Sequence, residues 1–215
     1  MPLIKKNTLA ANIHLAVWEI SETLDELLHD FVINENEKEA FDLFINEGRK
    51  KQWLVTRKLL FELTKNSNLW IAHDDNRKPI LNDEHLSISI SHTHNYVAIL
   101  LGENIHLGID IEKLTPRIHK IRHKFCSDTE NKFLTDDETL LQRLYIIWSA
   151  KESLFKMYGE GGLDFRKNLH IHPFEYNPPG KLQTNIQCHN LDTEVELYYD
   201  QICNHVLVYG MSHLK

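Results

Sequence analysis

The sequence predicts an α+β protein built as two similar α/β lobes in a pseudo-duplicated arrangement, each a mainly antiparallel sheet packed with helices. Three observations carry that prediction. The element pattern runs strand, helices, then three or more strands, and does so twice. Several of the strand segments alternate aliphatic and polar residues with a period of two. The 215 residues, 42% hydrophobic and 26% charged, contain no Pro/Gly/Ser-rich linker and no low-complexity tract, so the halves are expected to pack tightly. They meet near residues 101–105, giving lobes over residues 1–103 and 104–215.

In chain order, NIHLAVW (Asn12 to Trp18) reads as a strand. Ser21 is placed to cap a helix in which Leu24, Leu27, Leu28 and Phe31 follow i, i+3, i+4, i+7 spacing. Further helix is expected from Glu35 to Leu63, broken near Gly48. LWIAH, HLSISIS and YVAILL read as strands, with NRKP and DEH as turns between them. IHLGIDI is the next strand, and Ser127 and Thr135 start helices. The second of these opens on a capping box, Thr135 with Glu138, and ends near Tyr158, where Gly159 suits a left-handed cap. Four strands are expected between Asn168 and Met211, with NPPG as a turn.

Composition excludes some functions. No apolar run approaches the roughly 20 residues that span a bilayer, and MPLIKKNTLA lacks the apolar middle of a signal peptide, so no membrane role is expected. Cys126, Cys188 and Cys203 form no CxxC pair, which argues against a disulfide framework and for a reducing cytoplasmic setting. A net charge of −7 argues against nucleic-acid binding. The charge is uneven, however. Ten acids face one Lys between Glu19 and Glu47, whereas RKKQWLVTRK (Arg49 to Lys58) and RIHKIRHK (Arg117 to Lys124) contain no acid. Local basic patches on an acidic protein point to local anionic partners.

Two segments carry the candidate chemistry. In IHLGIDIE, Ile105, Leu107, Ile109 and Ile111 take one strand face, and Asp110 and Glu112 share the other, roughly 7 Å apart along the backbone. Gly108 on that face is expected to leave open space beside them. Paired hard oxygen ligands next to a gap suit Mg²⁺; the alternative is a solvated polar face. On the following helix, Trp148, Glu152 and Lys156 recur at i, i+4, i+8 and form one stripe among Leu144, Ile147, Leu154 and Phe155. Either the stripe is an ion pair in water, or it borders a buried region where a carboxylate needs a cation or a donor. Taken together, three carboxylates and one Mg²⁺ leave a single negative charge, so a pyrophosphate needs a further cation, and Lys156 is one turn beyond Glu152. No Walker loop, GxGxxG or GxSxG is present, and GEGG after the helix reads as a cap and turn.

GIDIE (Gly108 to Glu112), FCSDTE (Phe125 to Glu130) and WSAKESLFK (Trp148 to Lys156), with RKP (Arg77 to Pro79) and SISISHTHNYVAIL (Ser87 to Leu100) upstream, resemble the hallmark blocks of the Sfp-like 4′-phosphopantetheinyl transferases in order and spacing. The resemblance runs from about Arg49 to Gly162, and the length is that of the double-lobed members. It implies transfer of 4′-phosphopantetheine from coenzyme A to a serine of an apo acyl or peptidyl carrier protein, at an active site between the lobes. It further implies Asp110, Glu112 and Glu152 as Mg²⁺ ligands (Mn²⁺ is also admissible), Glu152 as base and Lys156 on the pyrophosphate. Lys151 belongs to the family's "KE" pair but leaves the helix in another direction, and no catalytic role is expected of it. For the coenzyme's 3′-phosphate the resemblance points to Arg57, Arg49, Lys78, His92 and the neighbouring Ser91. The match departs from the family pattern at Thr93, which stands for a serine, and at Arg77, which stands for the frequent glycine. His94 has no assigned role, and the HxH pairs His92/His94 and His170/His172 read as ordinary strand histidines. Arg117, Lys120 and Lys124 share a face if helical, either to steer an acidic carrier or as solvated surface. A monomer is expected. The rival readings are a Mg²⁺-dependent coenzyme A or nucleotide phosphohydrolase and a non-enzymatic coenzyme-A-binding protein.

Overall fold

A computed structural model describes residues 3–189 and 191–214. The chain divides into two compact units, Met1–Asn104 and Ile105–Lys215, and is α+β with antiparallel sheets throughout.

The first unit holds β1 (Leu3–Ala10), β2 (Ile13–Glu19), α1 (Leu24–Asp30), α2 (Glu35–Asp42), α3 (Glu47–Thr64), β3 (Ile71–His73), β4 (Pro79–Leu81), β5 (Leu86–Thr93) and β6 (Tyr96–Glu103). Its four-stranded sheet has the order β1-β2-β6-β5, while β3 and β4 pair separately. Helix α3 packs on β2 and β6 through a core containing Ala16, Trp53, Leu54, Leu59, Leu60, Val97 and Ile99. The second unit holds β7 (His106–Lys113), α4 (Ile118–Phe125), α5 (Asp128–Phe133), α6 (Leu140–Tyr158), β8 (Leu169–Ile171), β9 (Gly180–Cys188), β10 (Leu191–Ile202) and β11 (His205–Ser212). Its five-stranded sheet runs β7-β11-β10-β9-β8. Helix α6 lies on β7 and β11, with Leu144, Ile147, Ala150, Leu154 and Met157 buried against Leu197, Val206 and Val208.

Several boundaries differ from the sequence reading, each for a local reason. Thr23, not Ser21, caps α1: its hydroxyl accepts from the Glu26 N–H while the Glu26 carboxylate takes the Thr23 N–H. The break between α2 and α3 falls at residues 43–46 rather than at Gly48, because the Asn46 side chain accepts from the Arg49 N–H and starts a new helix there. Helix α6 begins at Leu140, not Thr135. Arg143 Nη2 takes Thr135 Oγ1 at 2.7 Å and Asp137 Oδ2 at 2.8 Å, and Asp137 Oδ1 accepts the Thr139 N–H at 2.8 Å, so these groups hold a loop instead of a first turn. The Thr135 hydroxyl first, then the hydroxyl and N–H of Thr139, donate to the Asp137 carboxylate and hold it far below the usual range. Strands β1 and β4 lie outside the reading altogether. The end of α6 is as expected, with Gly159 at φ 79° donating its N–H to Phe155 O.

Candidate active site

The chemistry-bearing side chains of the second unit sit where α6 runs along β7. On β7, His106, Gly108, Asp110 and Glu112 alternate with the buried Leu107, Ile109 and Ile111 and face the helix. Gly108 does not leave open space. A Cβ there would stand 2.0 Å from Ser153 O, so the missing side chain is filled by the helix backbone itself. This close approach brings the stripe of α6 within reach of the strand. We expect Gly108→Ala to destabilise the protein by about 3 kcal/mol, since backbone cannot move aside cheaply; urea unfolding measures this.

Lys156 Nζ donates to Asp110 Oδ1 at 2.9 Å and to Ile109 O at 2.8 Å. Trp148 Nε1 donates to Glu112 Oε1 at 3.3 Å, its ring held by Phe125 and Phe165 at 5.3 and 5.6 Å between centroids. Glu152 lies between them along the stripe. Its carboxyl is pushed up to about 7, by burial first, then by the Asp110 and Glu112 charges, against the opposing pull of Lys156. Asp110, Glu112 and Glu152 thus lie close enough to feel one another's charge, and three carboxylates fit a divalent cation in donor type. They are neighbours rather than a closed cage: among the described residues, no three His, Cys, Asp or Glu side chains converge closely enough to hold a metal ion.

The crowding has a consequence for stability. Glu152 titrates near 7 in the folded chain and near 4.5 in the unfolded one, so the folded state binds the extra proton. Its contribution is fully present below pH 4.5 and is lost as pH rises through about 7. In chelator, the melting temperature is expected to fall between pH 5 and pH 8 by about 4–8 °C, the equivalent of about 2 kcal/mol. Glu152→Gln removes this part of the pH dependence.

Lys151, one residue before Glu152, points the other way. Its ammonium is wholly buried and donates to Glu130 Oε2 at 2.7 Å, Phe125 O at 2.8 Å and Phe165 O at 2.7 Å. Glu130 also closes the capping box of α5 through the Ser127 N–H and accepts the Ile171 N–H at 3.0 Å. One ion pair therefore ties α5, α6, the segment around Phe165 and β8 together. The basic segment Arg117 to Lys124 is helical from Ile118, and Arg117, Lys120 and Lys124 are all exposed.

In the first unit, a cavity of about 310 Å³ is lined by Glu37, Phe44, Arg49, Trp53, Arg57 and His92, among others. Arg49 Nη1 donates to His92 Nε2 at 2.6 Å and to Gln52 Oε1 at 3.0 Å. Arg57 Nε and Nη2 both reach Glu37 Oε1, at 2.9 and 2.7 Å, with the guanidinium 3.7 Å from the Trp53 ring centroid. Burial pulls Arg57 down and Glu37 holds it up. Of the sequence-predicted phosphate ligands, this cavity brings together Arg49, Arg57 and His92. Lys78 lies outside its lining, in a turn held by Asp74 Oδ1 and followed by the lining residue Pro79. Ser91 is buried on the strand face opposite His92. Sequence reasoning missed Glu37, Glu130 and His73. His73 also lines the cavity, its imidazole pulled down by burial and by Arg57. For Glu130 a signal existed in the capping box Ser127-x-x-Glu130. For Glu37 none did, because it sits in a run of solvated acids.

Residues 106–207 match the family described as the 4′-phosphopantetheinyl transferase superfamily. A curated relative, the 4′-phosphopantetheinyl transferase Sfp of Bacillus subtilis (strain 168), is 38% identical over 85 residues, covering 39% of this chain and 37% of that protein. The match therefore spans little more than a third of the relative's own length. The region matched to the family contains Asp110, Glu112, Glu130, Lys151, Glu152 and Lys156, the residues that the geometry of α6 and β7 assembles. Over residues 106–207 this chain is therefore similar to the 4′-phosphopantetheinyl transferase superfamily.

Proposed function

We propose that the protein transfers the 4′-phosphopantetheine group of coenzyme A to a serine of an apo acyl or peptidyl carrier protein, with Mg²⁺ bound by Asp110, Glu112 and Glu152. One observation carries the reading: a carboxyl raised to about 7 stands on the same stripe as a lysine that already grips a neighbouring carboxylate. A group titrating near the working pH is matched to removing a hydroxyl proton. The serine oxygen attacks the β-phosphorus, the bond to the departing adenosine 3′,5′-bisphosphate breaks, and Glu152 takes the serine proton. Lys156 meets the charge that develops on the leaving group. The divalent cation would supply charge neutralisation for the pyrophosphate among these three carboxylates.

Arg49, Arg57, Lys78, Ser91 and His92 of the first unit are the proposed ligands of the coenzyme's phosphate. Arg117, Lys120 and Lys124 on α4 are the proposed basic face toward an acidic carrier, and lowering the salt should raise the association rate. We place the protein in the cytoplasm as a monomer. Among the described residues no helix is long and apolar enough to cross a membrane. Chromatographic analysis of the nucleotide product tests the reading. Adenosine 3′,5′-bisphosphate should appear only when an apo-carrier is present. Its release without a carrier would point to hydrolysis instead.

A further inference from the structure

The first-unit cavity holds two guanidinium groups in opposite electrical situations. Arg49 donates to Gln52 Oε1 and His92 Nε2, partners that carry no negative charge, and its guanidinium can only donate. Arg57 is matched by Glu37: both of its donors toward that residue end on one carboxylate oxygen, and the side chains are only 8% and 4% exposed. Glu37 is itself fixed, because the same oxygen accepts the Ile71 N–H at 3.1 Å. The stack on Trp53 holds the guanidinium plane in place. A carboxylate thus occupies the donor fork that a phosphate in this cavity would otherwise take.

We propose that Glu37 is a specificity-determining residue that competes with the ligand's 3′-phosphate for Arg57 and so holds down the affinity of the cavity for nucleotides that carry a 3′-phosphate. The inference rests on the coenzyme reading of this cavity. A phosphate entering beside Arg49 meets that guanidinium and the matched Arg57–Glu37 pair, and is repelled by the Glu37 charge at short range. Neutralising Glu37 removes that repulsion and releases Arg57, whose fork is suited to a phosphate.

The test is calorimetric titration of the full chain and its Glu37→Gln variant with adenosine 3′,5′-bisphosphate and with adenosine 5′-monophosphate. Glu37→Gln is expected to bind the bisphosphate about tenfold more tightly, with the monophosphate changed by less than about twofold. Equal or weaker bisphosphate binding by a folded variant overturns the proposal, and so does an equal gain for both nucleotides. Should Glu37→Gln fail to fold, Glu37→Asp draws the carboxylate back from Arg57 by one methylene, and a gain of about threefold is expected. No gain with Glu37→Asp is again a refutation. Failure of the wild-type chain to bind the bisphosphate at all would overturn the coenzyme reading itself, which keeps the two failures apart.

Discussion

Glu152→Ala is expected to lower transfer to a carrier serine by about 10³-fold or more, the range for a positioned proton acceptor that also serves a metal site. The substitution should leave the fold intact, because Glu152 is a margin residue whose carboxylate is crowded rather than supported. Its neighbours Asp110 and Glu112 push its proton affinity up, so removing it relieves repulsion among the three. The expected pattern is therefore a dead enzyme with unchanged or slightly raised thermal stability at pH 8. Steady-state transfer kinetics and a melting curve on the same preparation check both halves. A fully active Glu152→Ala would refute the base assignment, and an inactive, unfolded one would mean that the carboxylate is structural.

Lys151→Met is expected to do the opposite. The side chain that replaces Lys151 is close in volume and apolar, but Glu130 is then left 1% exposed without its cation. Removing one partner of a buried ion pair costs about 3–5 kcal/mol, which for a chain of this size lowers the melting temperature by about 8–15 °C. The loss should be partly restored by Lys151→Met with Glu130→Gln, since an amide can still accept from the Ser127 or Ile171 N–H without carrying an uncompensated charge. Adjacent residues on one helix thus face opposite ways: Lys151 anchors α6 from its buried side, and Glu152 stands at the margin near Asp110 and Glu112. The apolar surroundings of WSAKESLFK follow from that division, because Lys151 is buried to hold the helix against Glu130.

The parts of this architecture that were legible in the sequence are those where local pattern and tertiary role coincide. The alternation in IHLGIDIE assigns Asp110 and Glu112 to one face, and the i, i+4, i+8 recurrence of Trp148, Glu152 and Lys156 assigns them to one stripe. In the structure, Trp148 reaches Glu112 and Lys156 reaches Asp110. The α+β class and the four strands of the second half follow from the same periodicities. Gly108 shows the limit of that reasoning: a missing side chain reads as space, yet what fills it is the backbone of Ser153, forty-odd residues later in the chain. Pairings across such separations, Lys151 with Glu130 and Arg57 with Glu37, leave no trace in spacing. The start of α6 was misplaced because Thr135 and Asp137, both good helix starters, are claimed by Arg143. Strand β1 was missed because it is an edge strand with a largely exposed, polar sequence.

Intact mass spectrometry of the carrier tests most directly the proposed transfer of phosphopantetheine onto a carrier protein by this chain. Several apo acyl and peptidyl carriers are incubated with the protein and coenzyme A, with Mg²⁺ or with EDTA. A gain of one phosphopantetheine is expected on at least one carrier, in Mg²⁺ and not in EDTA, and none with Glu152→Ala. Unmodified carriers alongside consumed coenzyme A, or a gain that Glu152→Ala supports as well as the wild-type chain, would contradict it.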